Sequence, residues 1–184
     1  MRWERLFEDL EAQLAADAAR ELTAEVADRI RRDRAGLAIP ERLAGMRGGG
    51  PVTFEVAGVD VLRGAVSDVG PDWVLLARSA GQSALVPLAA VLSMVGLSGR
   101  AATLSAVTKG FGLGAALRAI SRDRSVVTVV DVTGRRRAGT IDVVGADALD
   151  LAEHAADVPR RPEHVQSVRT VPFAALAVVL RSQR

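Results

Sequence analysis

The sequence predicts a mainly β protein with a helical N-terminus, in which one small β unit occurs twice, each copy preceded by a helix. Three observations carry this expectation. Residues 2–34 contain no Pro or Gly and are rich in Ala, Glu, Arg and Leu, all strong helix formers. From residue 51 onward, short apolar runs alternate with Gly, Pro and Asp turn signals. Finally, residues 127–175 repeat residues 52–90 in order, with the same turn glycines, the same turn Asp and the same Val-Pro-x-Ala-Ala block.

The expected organisation is a helical segment over residues 1–50, a first β unit over 51–97, a linker with a short helix over 98–125, and a second β unit over 126–184. In the first segment, Trp3, Phe7, Leu10, Leu14, Ala18, Leu22, Val26 and Ile30 form an apolar stripe. Its later steps are all four residues, so the stripe drifts around a straight helix. That drift predicts either a break near residues 15–19 or a helix that meets more than one surface. Arg29, Arg31, Arg32 and Arg34 suit the negative end of the helix dipole, and Gly36 suits a C-terminal stop. Pro40 opens a second short helix through residue 44. Gly48-Gly49-Gly50-Pro51 then breaks all regularity.

In the first unit, Val52, Phe54 and Val56 alternate with Thr53 and Glu55, as in a half-buried strand. Gly58 marks a turn. Gly64 marks a mid-strand bend or a close backbone approach. Val69-Gly70-Pro71-Asp72 is a turn before a strand at residues 73–76, and Gly81 turns the chain toward Leu85-Val86-Pro87. The second unit matches at an offset of 75: Val127 with Val52, Gly139 with Gly64, Ile141 with Val66, Asp147 with Asp72, Leu151 with Leu76. Val171-Pro172 matches Val86-Pro87 at an offset of 85. Ten extra residues therefore fall between Leu151 and Val171, in a segment that includes Pro159-Arg160-Arg161-Pro162. A short helix is expected at residues 115–122, just ahead of the second unit.

A short helix followed by about five short, bent strands resembles the Sm-like fold, an SH3-like open barrel. Gly58, Gly64, Val66 and Asp68 resemble the first Sm motif in unit one, and Gly134, Gly139 and Ile141 resemble it in unit two. The resemblance implies two tandem Sm-like small β-barrels. It does not bring the RNA pocket of that family with it. Asp72 and Asp147 stand where the motif has Asn, Val143 stands where unit two needs Asp, and Pro87-Leu88 and Pro172-Phe173 replace the Arg-Gly of the second motif. The whole chain is also similar to proteins of GC-rich bacteria labelled as Fis-type transcriptional regulators. Residues 171–180, however, read as a buried strand rather than a recognition helix.

Composition narrows the function classes. With no cysteine, disulfides, thiol catalysis and Cys-ligated zinc are excluded. His154 and His164 are the only histidines. The N-terminus lacks the apolar core of a signal peptide, and the longest apolar run is too short for a helix to span a bilayer. A cytoplasmic location without membrane contact is the expectation. Lys109 is the single lysine, so the basic residues are almost all Arg. Codon usage in a GC-rich genome and a basic surface for nucleic acid both produce that skew.

Nucleic-acid contact is expected, if anywhere, at Arg122, Arg124, Arg135, Arg136, Arg137, Arg160 and Arg161, with Arg135, Arg136 and Arg137 on a hairpin tip after Thr133-Gly134. A solvated Arg-rich surface is the alternative. Aromatics are only 3%, too few for stacking platforms, and Trp73 is either a partly exposed turn residue or a core residue. Glu153, His154, Asp157, Glu163 and His164 share one loop region without standard metal-ligand spacing. Gly110, Gly112 and Gly114 before a helix lack the Gly-Lys-Ser/Thr order of a phosphate loop. Asp68 and Asp72 read as turn carboxylates. No catalytic, metal or cofactor set emerges. The expected function is non-catalytic binding or scaffolding, with a protein partner or self-association, and nucleic-acid binding is the alternative.

Overall fold

The computed structural model describes residues 2–158 and 160–182. The side chains of Trp3, Phe7, Leu10 and Arg34, and Pro159 as a whole, lie outside the described residues. The chain forms two compact units, Met1–Ala38 and Ile39–Arg184.

The first unit is one helix, α1 (Arg2–Ala35). Of the two outcomes that the drifting stripe allowed, a break near residues 15–19 does not occur: the helix runs on through Ala15, Ala16, Asp17, Ala18 and Ala19, four of them the strongest helix former. Asp17 and Arg20 pair one turn apart at 2.6 Å, and Asp28 pairs with Arg31 in the same way. Leu14, Leu22, Val26 and Ile30 stay exposed along it.

The second unit holds the short helices α2 (Ile39–Ala44), α3 (Ala106–Lys109) and α4 (Leu113–Arg122), and ten strands. These are β1 (Val52–Val56), β2 (Val59–Val69), β3 (Trp73–Ala77), β4 (Gln82–Pro87), β5 (Val91–Val95), β6 (Val127–Asp131), β7 (Arg136–Val144), β8 (Ala148–Glu153), β9 (Ser167–Pro172) and β10 (Leu176–Ser182). All ten belong to one antiparallel sheet in the order β5-β1-β2-β3-β4-β10-β6-β7-β8-β9. The two units, expected as tandem small barrels, lie in one open sheet and are joined through β4 and β10. The reason is the free edge of β4. Its backbone groups need partners, and β10 of the other repeat supplies them, with Leu85 opposite Val179 and Ala84 opposite Leu180.

The repeat is visible in the hydrogen bonds as well as the residues. A bulge interrupts β2 between Val66 and Asp68, and β7 between Ile141 and Val143, again 75 apart. The Leu88 amide donates to the Asp72 carbonyl at 2.8 Å, and the Phe173 amide to the Asp147 carbonyl at 2.7 Å. Gly139 and Gly64 carry matching close approaches: a Cβ at Gly139 would lie 2.2 Å from the Ala152 carbonyl oxygen, and one at Gly64 would lie 2.7 Å from that of Ala77. Gly58 and Gly134, both with positive φ, bring the β1–β2 and β6–β7 turns into contact.

Two hydrophobic cores lie on opposite faces of the junction strands. One holds Leu43, Phe54, Leu76 and Val86, and takes in Val130 and Val178 from the second repeat. The other holds Leu117, Ile141 and Leu151, and takes in Trp73 and Leu85 from the first. Adjacent residues point to opposite faces of a strand. Val129-Val130 and Val178-Val179 therefore feed both cores. Strands buried on both faces lose the apolar-polar alternation. α4 packs into the second core through Leu113, Ala116 and Leu117, a helical stripe.

Candidate functional site

The junction of the repeats holds a cleft of about 990 Å³. Its described lining includes five arginines and no carboxylate. Arg78 comes from the first repeat, just beyond β3, where its amide donates to the Gln82 carbonyl at 2.8 Å. Its stem lies against Gly64. Arg181 comes from the end of β10, Arg136 opens β7, and Arg124 closes the turn after α4. Arg160 comes from the segment that holds the ten extra residues.

The charges of these arginines are unevenly compensated. Arg160 grips Asp142 with Nε at 2.7 Å and Nη2 at 2.6 Å, which raises its pKa further. Arg181 pairs with Asp123 at 2.6 Å. Arg78, Arg124 and Arg136 have no carboxylate partner among the described residues. The Nε of Arg78 is buried and bonds to no acceptor among the described residues. Such a donor carries a desolvation penalty, and native structures leave few of them. Arg124 has φ 51, making it the one non-glycine residue with positive φ among those described. Gln82, Ser83 and Thr128 add neutral polar groups to the wall.

Three of the seven arginines singled out in the sequence, Arg124, Arg136 and Arg160, thus meet in one cleft. Arg122, Arg135 and Arg161 are exposed outside it. Arg137 has a different task. It bonds Asp131 at 3.0 Å and Glu153 at 3.3 Å with only 19% of its side chain exposed. The hairpin tip is shorter than expected, since Arg136 and Arg137 already belong to β7. Arg78 and Arg181 were missed. The repeat offset held a signal for Arg78, because it occupies the place of Glu153, a charge reversal between otherwise matched positions.

Glu153 is the acidic counterpart of the cleft. Arg169 at 2.6 Å, then Ser167 at 2.6 Å, then the charge of Arg137 hold its pKa below the usual carboxylate range. Asp131 is also held below the usual carboxylate range, first by the Thr133 hydroxyl at 2.6 Å, then by Arg137 and by the amides of Arg135 and Thr133.

The remaining candidates have structural uses. Trp73 is buried, and its indole N–H donates to the Phe111 carbonyl at 2.8 Å. Asp72 Oδ1 accepts the Leu113 amide at 2.8 Å, so a carboxylate of the protein itself sits at the N-terminus that the Gly110, Gly112 and Gly114 loop opens. Asp68 pairs with Arg47. His154 is buried, with Nε2 2.9 Å from the Thr140 hydroxyl and Nδ1 2.9 Å from the Ala155 carbonyl. Among the described residues, no three His, Asp or Glu side chains are grouped to hold a metal ion, and no helix is long and apolar enough to cross a membrane. No protein-family model matches the chain, and neither does any curated protein or solved structure.

Proposed function

We propose that the protein is a non-catalytic binding and scaffolding protein, built on two Sm-like units fused edge to edge, that presents the junction cleft to an anionic partner. The order β5-β1-β2-β3-β4 and the short helix ahead of each unit support the Sm-like reading. The cleft itself carries the binding reading: both repeats supply its walls, five arginines converge there, and no carboxylate is among the described residues that line it. A low-dielectric concavity lined by one sign of charge concentrates the opposite sign. Heparin, a generic polyanion, tests this at low salt. Full-length protein is expected to bind it, and the double variant Arg124→Glu/Arg136→Glu to lose most of that binding. Equal binding by the variant would take the anionic partner out of the cleft.

A nucleic-acid partner is the second reading, favoured by Arg122, Arg135 and Arg161, which add exposed positive charge outside the cleft. It predicts RNA or DNA binding that weakens steeply with salt and with Arg135→Ala/Arg136→Ala. Arg137 is left out of that variant, because its loss would strand Asp131 and Glu153. Binding that ignores both salt and the variant would remove this reading.

A further inference from the structure

We infer that the junction cleft is a seat for the phosphate groups of a compact ligand, such as a diphosphate, and that Arg78, Arg124 and Arg136 hold its oxygens. The inference rests on the reading of the cleft as the binding site, and it adds the chemistry of what binds.

Charge comes first. Asp142 and Asp123 neutralise Arg160 and Arg181, which leaves Arg78, Arg124 and Arg136 without carboxylate partners among the described residues. Three guanidinium groups call for a ligand with more than one negative charge. Planar N–H forks match phosphate oxygens in pairs.

The second observation is the buried Nε of Arg78, which has no acceptor among the described residues. Arg78 itself lines the cleft, so an anion seated there lies beside its charge. Unit two shows what the same position does with the opposite charge. There Glu153 draws in Arg137, Arg169 and Ser167. In unit one the places of those three residues fall to Leu62, Ala84 and Gln82. None of the three is an anion that could pair with Arg78.

The third observation is Arg124. A non-glycine residue in the left-handed region is strained, and strain of this kind gathers at binding sites. Arg124 sits in the turn that enters β6, on the wall of this cleft.

The ligand is read through its phosphates rather than through a base. No aromatic side chain is among the described residues that line the cleft, so no platform for stacking is present in that wall. The volume of about 990 Å³ lies at the upper end of small-ligand sites and leaves room for a ligand larger than one phosphate.

Calorimetric titration of the full-length protein with pyrophosphate at low salt tests this, with ADP and a single-stranded oligonucleotide as parallel arms. Two variants isolate the site. Arg78→Met keeps the stem against Gly64 and removes the orphan donor. Arg124→Gly relieves the positive φ. Both are expected to melt no lower than the parent, yet each should weaken pyrophosphate about tenfold or more. ADP should match pyrophosphate within a few-fold, since the phosphates are the shared chemistry. Failure of the parent to bind pyrophosphate would overturn the inference, as would binding that both variants leave unchanged. An oligonucleotide that binds through Arg78 and Arg124 while pyrophosphate does not would also overturn it, yet leave the cleft standing as a polyanion site. Heparin binding lost with Arg124→Glu/Arg136→Glu, together with silent pyrophosphate, would separate the two readings in the same way.

Discussion

Asp72 of the first repeat caps the helix that begins the second: its Oδ1 accepts the Leu113 amide at 2.8 Å. The next residue, Trp73, reaches the same loop through its bond to the Phe111 carbonyl. A turn of one repeat thus supplies the acceptor that α4 lacks at its own cap, Gly112. Asp72→Ala should cost about 0.5–2 kcal/mol, the usual range for losing an N-terminal cap. The matching Asp147 has an exposed side chain with no bond to a helix. Asp147→Ala should therefore stay within about 0.5 kcal/mol of the parent. Urea unfolding of the two variants checks the pair. Equal losses would mean that capping is not what Asp72 contributes.

The junction of β4 and β10 should make residues 39–184 unfold as one. Leu85 is buried in the core of the second repeat although it belongs to the first. Leu85→Ala should cost about 2–5 kcal/mol and lower the transition of both repeats together. Calorimetry would reveal a second peak if each repeat instead unfolded by itself.

Acid should destabilise the second repeat through Asp131 and Glu153. Both folded-state pKa values are depressed, so the unfolded state takes up protons first as the pH falls. The stability these groups contribute is whole above the ordinary carboxylate pKa of about 4. It is lost progressively as the pH drops below that value toward their folded pKa values. Asp131→Asn should cost about 1–3 kcal/mol at neutral pH, since it weakens the bond to Arg137. The gap between variant and parent should narrow steadily as the pH falls from about 4 toward 2. Stability curves from pH 7 to pH 2 provide the check, and a gap that stays constant would exclude this linkage.

The outer edge β9 should resist the pairing that the inner edge β4 makes. At the offset of 85, Ala84 and Leu85 correspond to Arg169 and Thr170. Arg169 is tied to Glu153, and the Thr170 hydroxyl to Asp150 at 2.7 Å. Trp73, which helps bury the junction, corresponds to Ala148. Charged groups on an edge strand discourage strand addition. The double variant Arg169→Ala/Thr170→Leu restores the inner-edge residues and should form larger species than the parent. Light scattering decides the matter, because equal masses would show that these side chains do not guard the edge.

Much of this was legible in the residues. Turn glycines, the Val-Pro-x-Ala-Ala block and the offsets of 75 and 85 located the strands, because backbone sterics tie such residues to particular turns. The helix before each unit was legible for the same local reason. The candidate site was legible only in part. Arg124, Arg136 and Arg160 stood out by clustering in sequence, whereas Arg78 and Arg181 are separated from them and from each other along the chain. Arg137 stood out equally and proved to be a half-buried partner of Asp131 and Glu153.

By itself, the sequence determined that one β unit occurs twice behind a long helix, since alternation, turn chemistry and repetition are properties of neighbouring residues. The tertiary structure alone decided that the two units share one open sheet. Which strand satisfies the edge of β4 depends on residues some 95 positions away in β10. That long-range pairing buried Trp73, gave Asp72 a helix to cap and set Arg78 and Arg181 beside Arg124, Arg136 and Arg160. Nothing local to any of these residues encodes the others as neighbours.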